Sequence, residues 1–139
     1  MSLSAATALF ITLQGSPVLL PGQADLPLLG GAKLAPECMS VLPEDRDGPD
    51  LTCIAVPMRR ANDLMWAYSR QAQTQGWVDA GGAATALFLT RPATTERCAQ
   101  RLTLVSFWDH ARIETPGPND EVFIGMAVEP QNCDEALAQ

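Results

Sequence analysis

The clearest periodic pattern lies mid-chain. In PMRRANDLMWAYSRQAQTQGW, residues Ala61, Leu64, Met65, Tyr68 and Ala72 recur at the i, i+3, i+4, i+7 spacing of one helical face, with polar residues between them. This predicts a helix over about 58–75. Pro57 marks its start, where a missing N–H costs nothing. Gly76 suits a left-handed residue just past the end, and Trp77 would then fold back onto the last turn. Trp66 falls off the stripe, so it lies at the edge of the core or in solvent.

Around the helix the period changes to that of strands. LTCIAVP runs into the helix almost without a loop, and ATALFLT, rich in strand formers, ends at Pro92. LTLVSFW and VFIGMAV are apolar on both parities, which predicts central strands or a second layer on the far face of the sheet. ALFITL near the start is a further strand candidate. Residues 14–36 are punctuated by GSP, PG, LP and GG, and read as loop with short apolar pieces such as Val18-Leu19-Leu20. No low-complexity linker divides the chain. The expectation is one α+β domain over 1–139, an antiparallel sheet of five to six strands with one main helix packed on one face.

An octamer recurs: AATALFIT at 5–12 and AATALFLT at 83–90 differ at one position. A diverged duplication would not preserve eight residues while erasing their surroundings. Two strands of similar composition in one sheet are the expected explanation.

Composition narrows the function classes. At 139 residues, 47% hydrophobic and mean hydropathy +0.03, the chain has the balance of a globular domain. No apolar run approaches the roughly 20 residues that span a bilayer. A net charge of −7 argues against nucleic-acid binding, which needs basic clusters to displace phosphate counterions. Lys33 is the only lysine among nine basic residues and alanine is abundant, a bias of GC-rich bacterial coding.

Cys38, Cys53, Cys98 and Cys133 contain no C-x-x-C pair, which disfavours zinc ribbons and thioredoxin-type sites. Cys38 and Cys53 are symmetric about the turn-forming run PEDRDGP, and Cys98 and Cys133 about PGP. Residues equidistant from a hairpin turn face each other, so the expected bridges are Cys38–Cys53 and Cys98–Cys133, each across the open end of a hairpin. The alternative is four free thiols in a reducing compartment.

The candidate chemistry is sparse. His110 is the only histidine, which excludes multi-histidine metal sites; paired with Asp109 it could serve a small hydrolase. Neighbours on a strand point to opposite faces, however, and there is no G-x-S-x-G elbow to supply a serine. Glu44, Asp45, Asp47 and Asp50 crowd one turn, but they depart from the calcium-loop pattern and read as a solvated turn. DAGGAA is not a phosphate loop. Phe107, Trp108, His110 and Arg112 form the best candidate ligand-binding surface. No cofactor or metal is expected, and the partner would be a protein or small molecule.

The run SAATALFITL has the apolar length of a secretory signal but no preceding Lys or Arg. Met1-Ser2-Leu3 then reads as a start joined to a mature domain. The functional expectation is a periplasmic or secreted binding module without catalytic machinery. The alternatives are an enzyme using Asp109 and His110, or a cytoplasmic accessory protein with free thiols.

Overall fold

The computed structural model describes residues 17–131 and 133; the first octamer and the ALFITL strand candidate lie outside them. In chain order the elements are β1 (Val18–Leu19), β2 (Leu26–Pro27), β3 (Lys33–Leu34), a 3-10 helix (Pro36–Val41), β4 (Thr52–Pro57), α1 (Met58–Gln73), β5 (Val78–Ala83), β6 (Ala86–Arg91), β7 (Ala99–Phe107) and β8 (Glu121–Gln131). β1 and β2 form a small ribbon. The other six make one sheet in the order β3-β4-β8-β7-β6-β5, every pair antiparallel. The fold is α+β, as the alternation of periods predicted.

Helix α1 forms where the stripe placed it, burying Ala61, Leu64, Met65, Tyr68, Ser69 and Ala72. Pro57 is its N-cap, in extended conformation, and supplies no side-chain cap. The β7–β8 loop does that work from 60 residues away: the Met58 and Arg59 N–H groups donate to the carbonyls of Asp120 (2.8 Å) and Pro118 (3.0 Å). At the other end Gly76 takes φ +95°, the Gly76 N–H donates to the Gln73 carbonyl and the Trp77 N–H to that of Ala72. This 5→2 and 6→1 pair is a Schellman motif, and it turns Trp77 back into the core.

Strand register sorts the side chains into two layers. Facing α1 are Ile54 and Val56 of β4, Val122, Ile124 and Met126 of β8, Leu102 and Leu104 of β7, and Leu89 of β6. The opposite parity carries Cys53, Ala55 and Phe123, packed with Ala35, Cys38, Met39 and Leu51 of the preceding segment. β8 is buried from Val122 to Ala127 because it is central and covered on both faces. That is why its sequence is apolar on both parities.

Gly125 sits in this back layer, where an added Cβ would lie 2.7 Å from Leu51 Cδ1 and 3.1 Å from Phe107 Cε1. Gly125→Ala overpacks a site walled by the partly buried Leu51 and Phe107, so it should destabilise the fold by about 1–3 kcal/mol in urea unfolding. An unchanged midpoint would mean that the 51 loop yields freely.

Both disulfides form with the expected pairing, with Cα–Cα distances of 6.2 Å for Cys38–Cys53 and 5.0 Å for Cys98–Cys133. Cys98 and Cys133 close the β7–β8 hairpin just beyond the Ala99–Gln131 pair. Cys38 does not face Cys53 across a hairpin. It lies in the 3-10 helix, and its bridge straps that helix to the back of β4. Pro36 begins the 3-10 helix, and Pro43 and Pro49 interrupt the N–H donors that a paired strand would need. Residues 42–51 therefore cross the sheet as loop.

Three further differences have local causes. β5, VDAGGA, lacks any apolar alternation and is fully exposed; it exists because β6 offers it an edge. The helix stops at Gln73, two residues short of the expected end, since residues 74–77 are taken up by the Schellman turn. In ATALFLT the strand begins only at Ala86, because Ala84 and Thr85 make the β5–β6 turn.

Candidate functional site

Where α1 lies on the sheet decides what is left open. It leaves the sheet at Pro57, beside the start of β8, and returns at Val78, the start of the β5 edge strand. The helix must therefore run diagonally across the strands. One flank is filled by the segment 17–32, which contributes Leu19, Leu20, Ala24 and Leu26 to the core. It is tied down by three contacts from α1 and its end: Leu29 N–H donates to Tyr68 Oη (3.0 Å), Arg60 to the Gly30 carbonyl (2.7 Å), and Gln75 to that of Asp25 (3.3 Å).

Among the described residues, the other flank has no such cover. Between the first half of α1 and the corner where β5, β6 and β7 meet lies a cleft of about 370 Å³. The helix contributes Met58, Ala61, Asn62, Met65 and Trp66; the β5–β6 turn contributes Ala83 to Leu87; the end of β7 brings Ser106, Phe107 and Trp108. Every lining side chain is uncharged, although the chain carries −7. Met58 (40%) and Trp66 (43%) keep large apolar surface in solvent at its rim. Leu87 is half-exposed here, whereas Leu89, one pleat along under the helix, is fully buried.

The four residues expected to form one ligand surface are divided. Phe107 and Trp108 line this cleft. Arg112 lines a separate polar depression with Asp109, Glu37, Ser40, Asn119 and Asp120. His110 lines neither: it is exposed, with its ring 4.5 Å from that of Trp108. Trp108 is itself held by an Nε1–H hydrogen bond to the Ile113 carbonyl (3.1 Å). The Asp109 carboxylate accepts from the Ala111 N–H (3.0 Å), shaping the turn rather than orienting an imidazole. No hydrogen bond joins Asp109 to His110 among the described residues.

The acidic turn places Glu44, Asp45, Asp47 and Asp50 in solvent, and among the described residues no three His, Cys, Asp or Glu side chains converge as metal ligands. No helix of the described residues is long and apolar enough to cross a membrane.

The cleft residues missed in the sequence are Met58, Asn62 and Trp66. They stand at i, i+4 and i+8, a second stripe flanking the core face, and that spacing was the available signal.

At the far end of the sheet, Arg91 lies with its guanidinium 4.5 Å from the Trp77 ring centroid. It donates to Gln100 Oε1 (2.7 and 3.2 Å) and to the Gln23 carbonyl (3.1 Å). Burial, and then the charge of Arg97, lower its pKa from the ordinary arginine value, with Asp25 opposing. Through Nε and Nη2, Arg91 ties the 17–32 segment to the sheet.

No family model matches this chain, and no curated protein or solved structure matches it either.

Proposed function

We propose that this chain is an exported, non-catalytic binding module whose site is the uncharged corner cleft beside α1. The observation that carries the reading is the contrast between the two flanks of the helix. One is closed by leucines of the chain itself. The other keeps Met58 and Trp66 solvent-exposed over a cavity of ligand-binding size. Exposing such groups costs solubility, and two of them bordering one cavity support its reading as a contact surface. Tryptophan and methionine are also the residue types that such surfaces favour.

Two disulfides suit an oxidising environment, which supports export. The reading accommodates Phe107 and Trp108 as contact residues and leaves His110 as a ring packed behind Trp108. Arg112 takes no part in it.

The test uses 8-anilinonaphthalene-1-sulfonate, an amphipathic anionic dye whose aromatic rings brighten on apolar surface. The folded protein should enhance its fluorescence, and Trp66→Glu should abolish most of the enhancement without lowering Tm. Equal enhancement by both proteins would place the apolar site elsewhere and overturn the reading.

A further inference from the structure

We infer that the Arg112–Ile113 peptide bond is a processing site for an arginine-specific protease, and that the cut frees Trp108 from the wall of the corner cleft. The consequence for binding rests on the cleft reading; the site and the release of Trp108 do not. Of the nine basic residues, five are half-buried. Lys33, Arg59 and Arg70 are exposed but held in β3 or α1, whose backbone hydrogen bonds resist the extended form in which a protease binds its substrate. Arg112 is the exposed one that lies outside every helix and strand. His110, Ala111, Glu114 and Thr115 around it are exposed too.

The backbone N–H groups of this turn all donate to one residue. Those of Arg112 (3.1 Å) and Ile113 (3.0 Å) reach the Asp109 carbonyl, and that of Ala111 (3.0 Å) reaches its carboxylate. Unhooking from Asp109 therefore opens the turn without disturbing the sheet, an opening of the low-stability kind. The step itself is hydrolysis. Water adds across the Arg112–Ile113 bond, leaving Arg112 as a carboxylate and Ile113 as an ammonium, with the protease as catalyst and nothing oxidised or reduced.

The bond to be cut lies between Trp108 and its anchor. Trp108 lines the cleft and is held there by its Nε1–H bond to the Ile113 carbonyl. After the cut, Ile113 begins a chain end that is next fastened at Gly117, whose N–H donates to Asp120 Oδ2 (2.7 Å). Among the described residues Glu114, Thr115 and Pro116 make no hydrogen bond, and Ile113 belongs to neither core layer. Residues 113–116 thus regain their conformational freedom against two hydrogen bonds, and the entropy prevails. Asp109 and Glu37, which share a depression with Ile113, do not hold the new ammonium. An ion pair in water contributes little, and the new Arg112 carboxylate repels the same groups. Without its anchor Trp108 turns toward solvent, and the cleft loses a wall.

Limited digestion with trypsin, an arginine- and lysine-specific protease, tests the inference. Terminal sequencing should find Ile-Glu-Thr-Pro as the first new N-terminus, and Arg112→Gln should slow the first cut by roughly tenfold or more. Tryptophan emission of the cut chain should shift to the red. Trypsin-treated Arg112→Gln should keep the native emission, and cut Trp108→Phe should show no shift. The dye should bind the cut chain roughly tenfold more weakly, the loss typical of one contact residue. A first cut at any other residue overturns the site, and an unchanged emission after the cut overturns the release. A shifted emission with undiminished dye binding overturns the effect on the cleft. The cleft reading is judged separately, by Trp66→Glu in the uncut chain, so its failure leaves the cut and the emission shift standing on their own result.

Discussion

Replacing Cys38 and Cys53 together by alanine should lower the unfolding free energy by about 3–5 kcal/mol and Tm by roughly 10 °C. Closing a 15-residue loop accounts for about 3 kcal/mol on the chain-entropy argument. The same argument gives the 35-residue loop of Cys98–Cys133 about 4 kcal/mol, and so ranks that bridge first. Burial reverses the order. Cys38 is wholly inaccessible and Cys53 nearly so, and they form the middle of the back layer with Ala55 and Phe123. Cys98 and Cys133 are only half-buried, and the hairpin they close is already held by nine residue pairs between β7 and β8. Removing Cys38 and Cys53 therefore loses the loop constraint and also the packing of two buried sulfurs. Urea unfolding of the two double variants decides the matter. A larger loss for the Cys98–Cys133 pair would mean that loop length dominates.

Tyr68 should show a comparably large effect, divisible into two parts. Its side chain is completely buried at the centre of α1, and its oxygen accepts the Leu29 N–H. Tyr68→Ala should cost about 3–5 kcal/mol through the cavity it leaves. Tyr68→Phe keeps the ring but strands a part-buried backbone donor, at a cost of about 1–3 kcal/mol.

A pH signature accompanies the hydroxyl. Burial raises its pKa above the ordinary 10.0, with the Leu29 N–H partly opposing. The unfolded tyrosine ionises near pH 10 while the folded one stays neutral. The hydroxyl's contribution is thus complete below pH 10 and declines as pH climbs through the raised folded value. Tyr68 is the only tyrosine, so tyrosinate absorbance reports on it directly. Ionisation at the ordinary pH without loss of structure would contradict the burial argument.

The sequence was most legible where local pattern and tertiary role agree. Helix α1, its Gly76-Trp77 ending and the central strands β7 and β8 are set by periodicity, because packing the same residues into the core is what makes the period. The disulfide pairing was legible for a looser reason. Cys38 and Cys53 are indeed symmetric about a turn, but the chain between them is a 3-10 helix and a proline-broken loop, so the inferred partners were right and the inferred hairpin was not.

β5 could not be read. Asp79, Gly81 and Gly82 carry no strand preference, and the strand arises only from what β6 leaves unpaired. The candidate site was half-readable. Phe107 and Trp108 declared themselves by residue type, whereas the turn at Asp109 leaves His110 against Trp108 but outside the cleft lining and puts Arg112 in a separate depression. The openness of the Met58–Asn62–Trp66 stripe depends on the diagonal set of α1, which no local window contains.

The Cys98–Cys133 bridge has a consequence for the loop between β7 and β8, where Arg112 stands exposed. Covalently, residues 98–133 form a closed ring. A protease that cuts after Arg112 opens the ring once and releases nothing, because β7 and β8 remain joined through sulfur as well as through their ladder. The Asp120 and Pro118 carbonyls that cap α1 stay on the piece still held in the sheet. A clipped molecule thus keeps its mass, apart from one added water, and its helix cap. In a protease-rich surrounding this loop can be sacrificed while the domain persists.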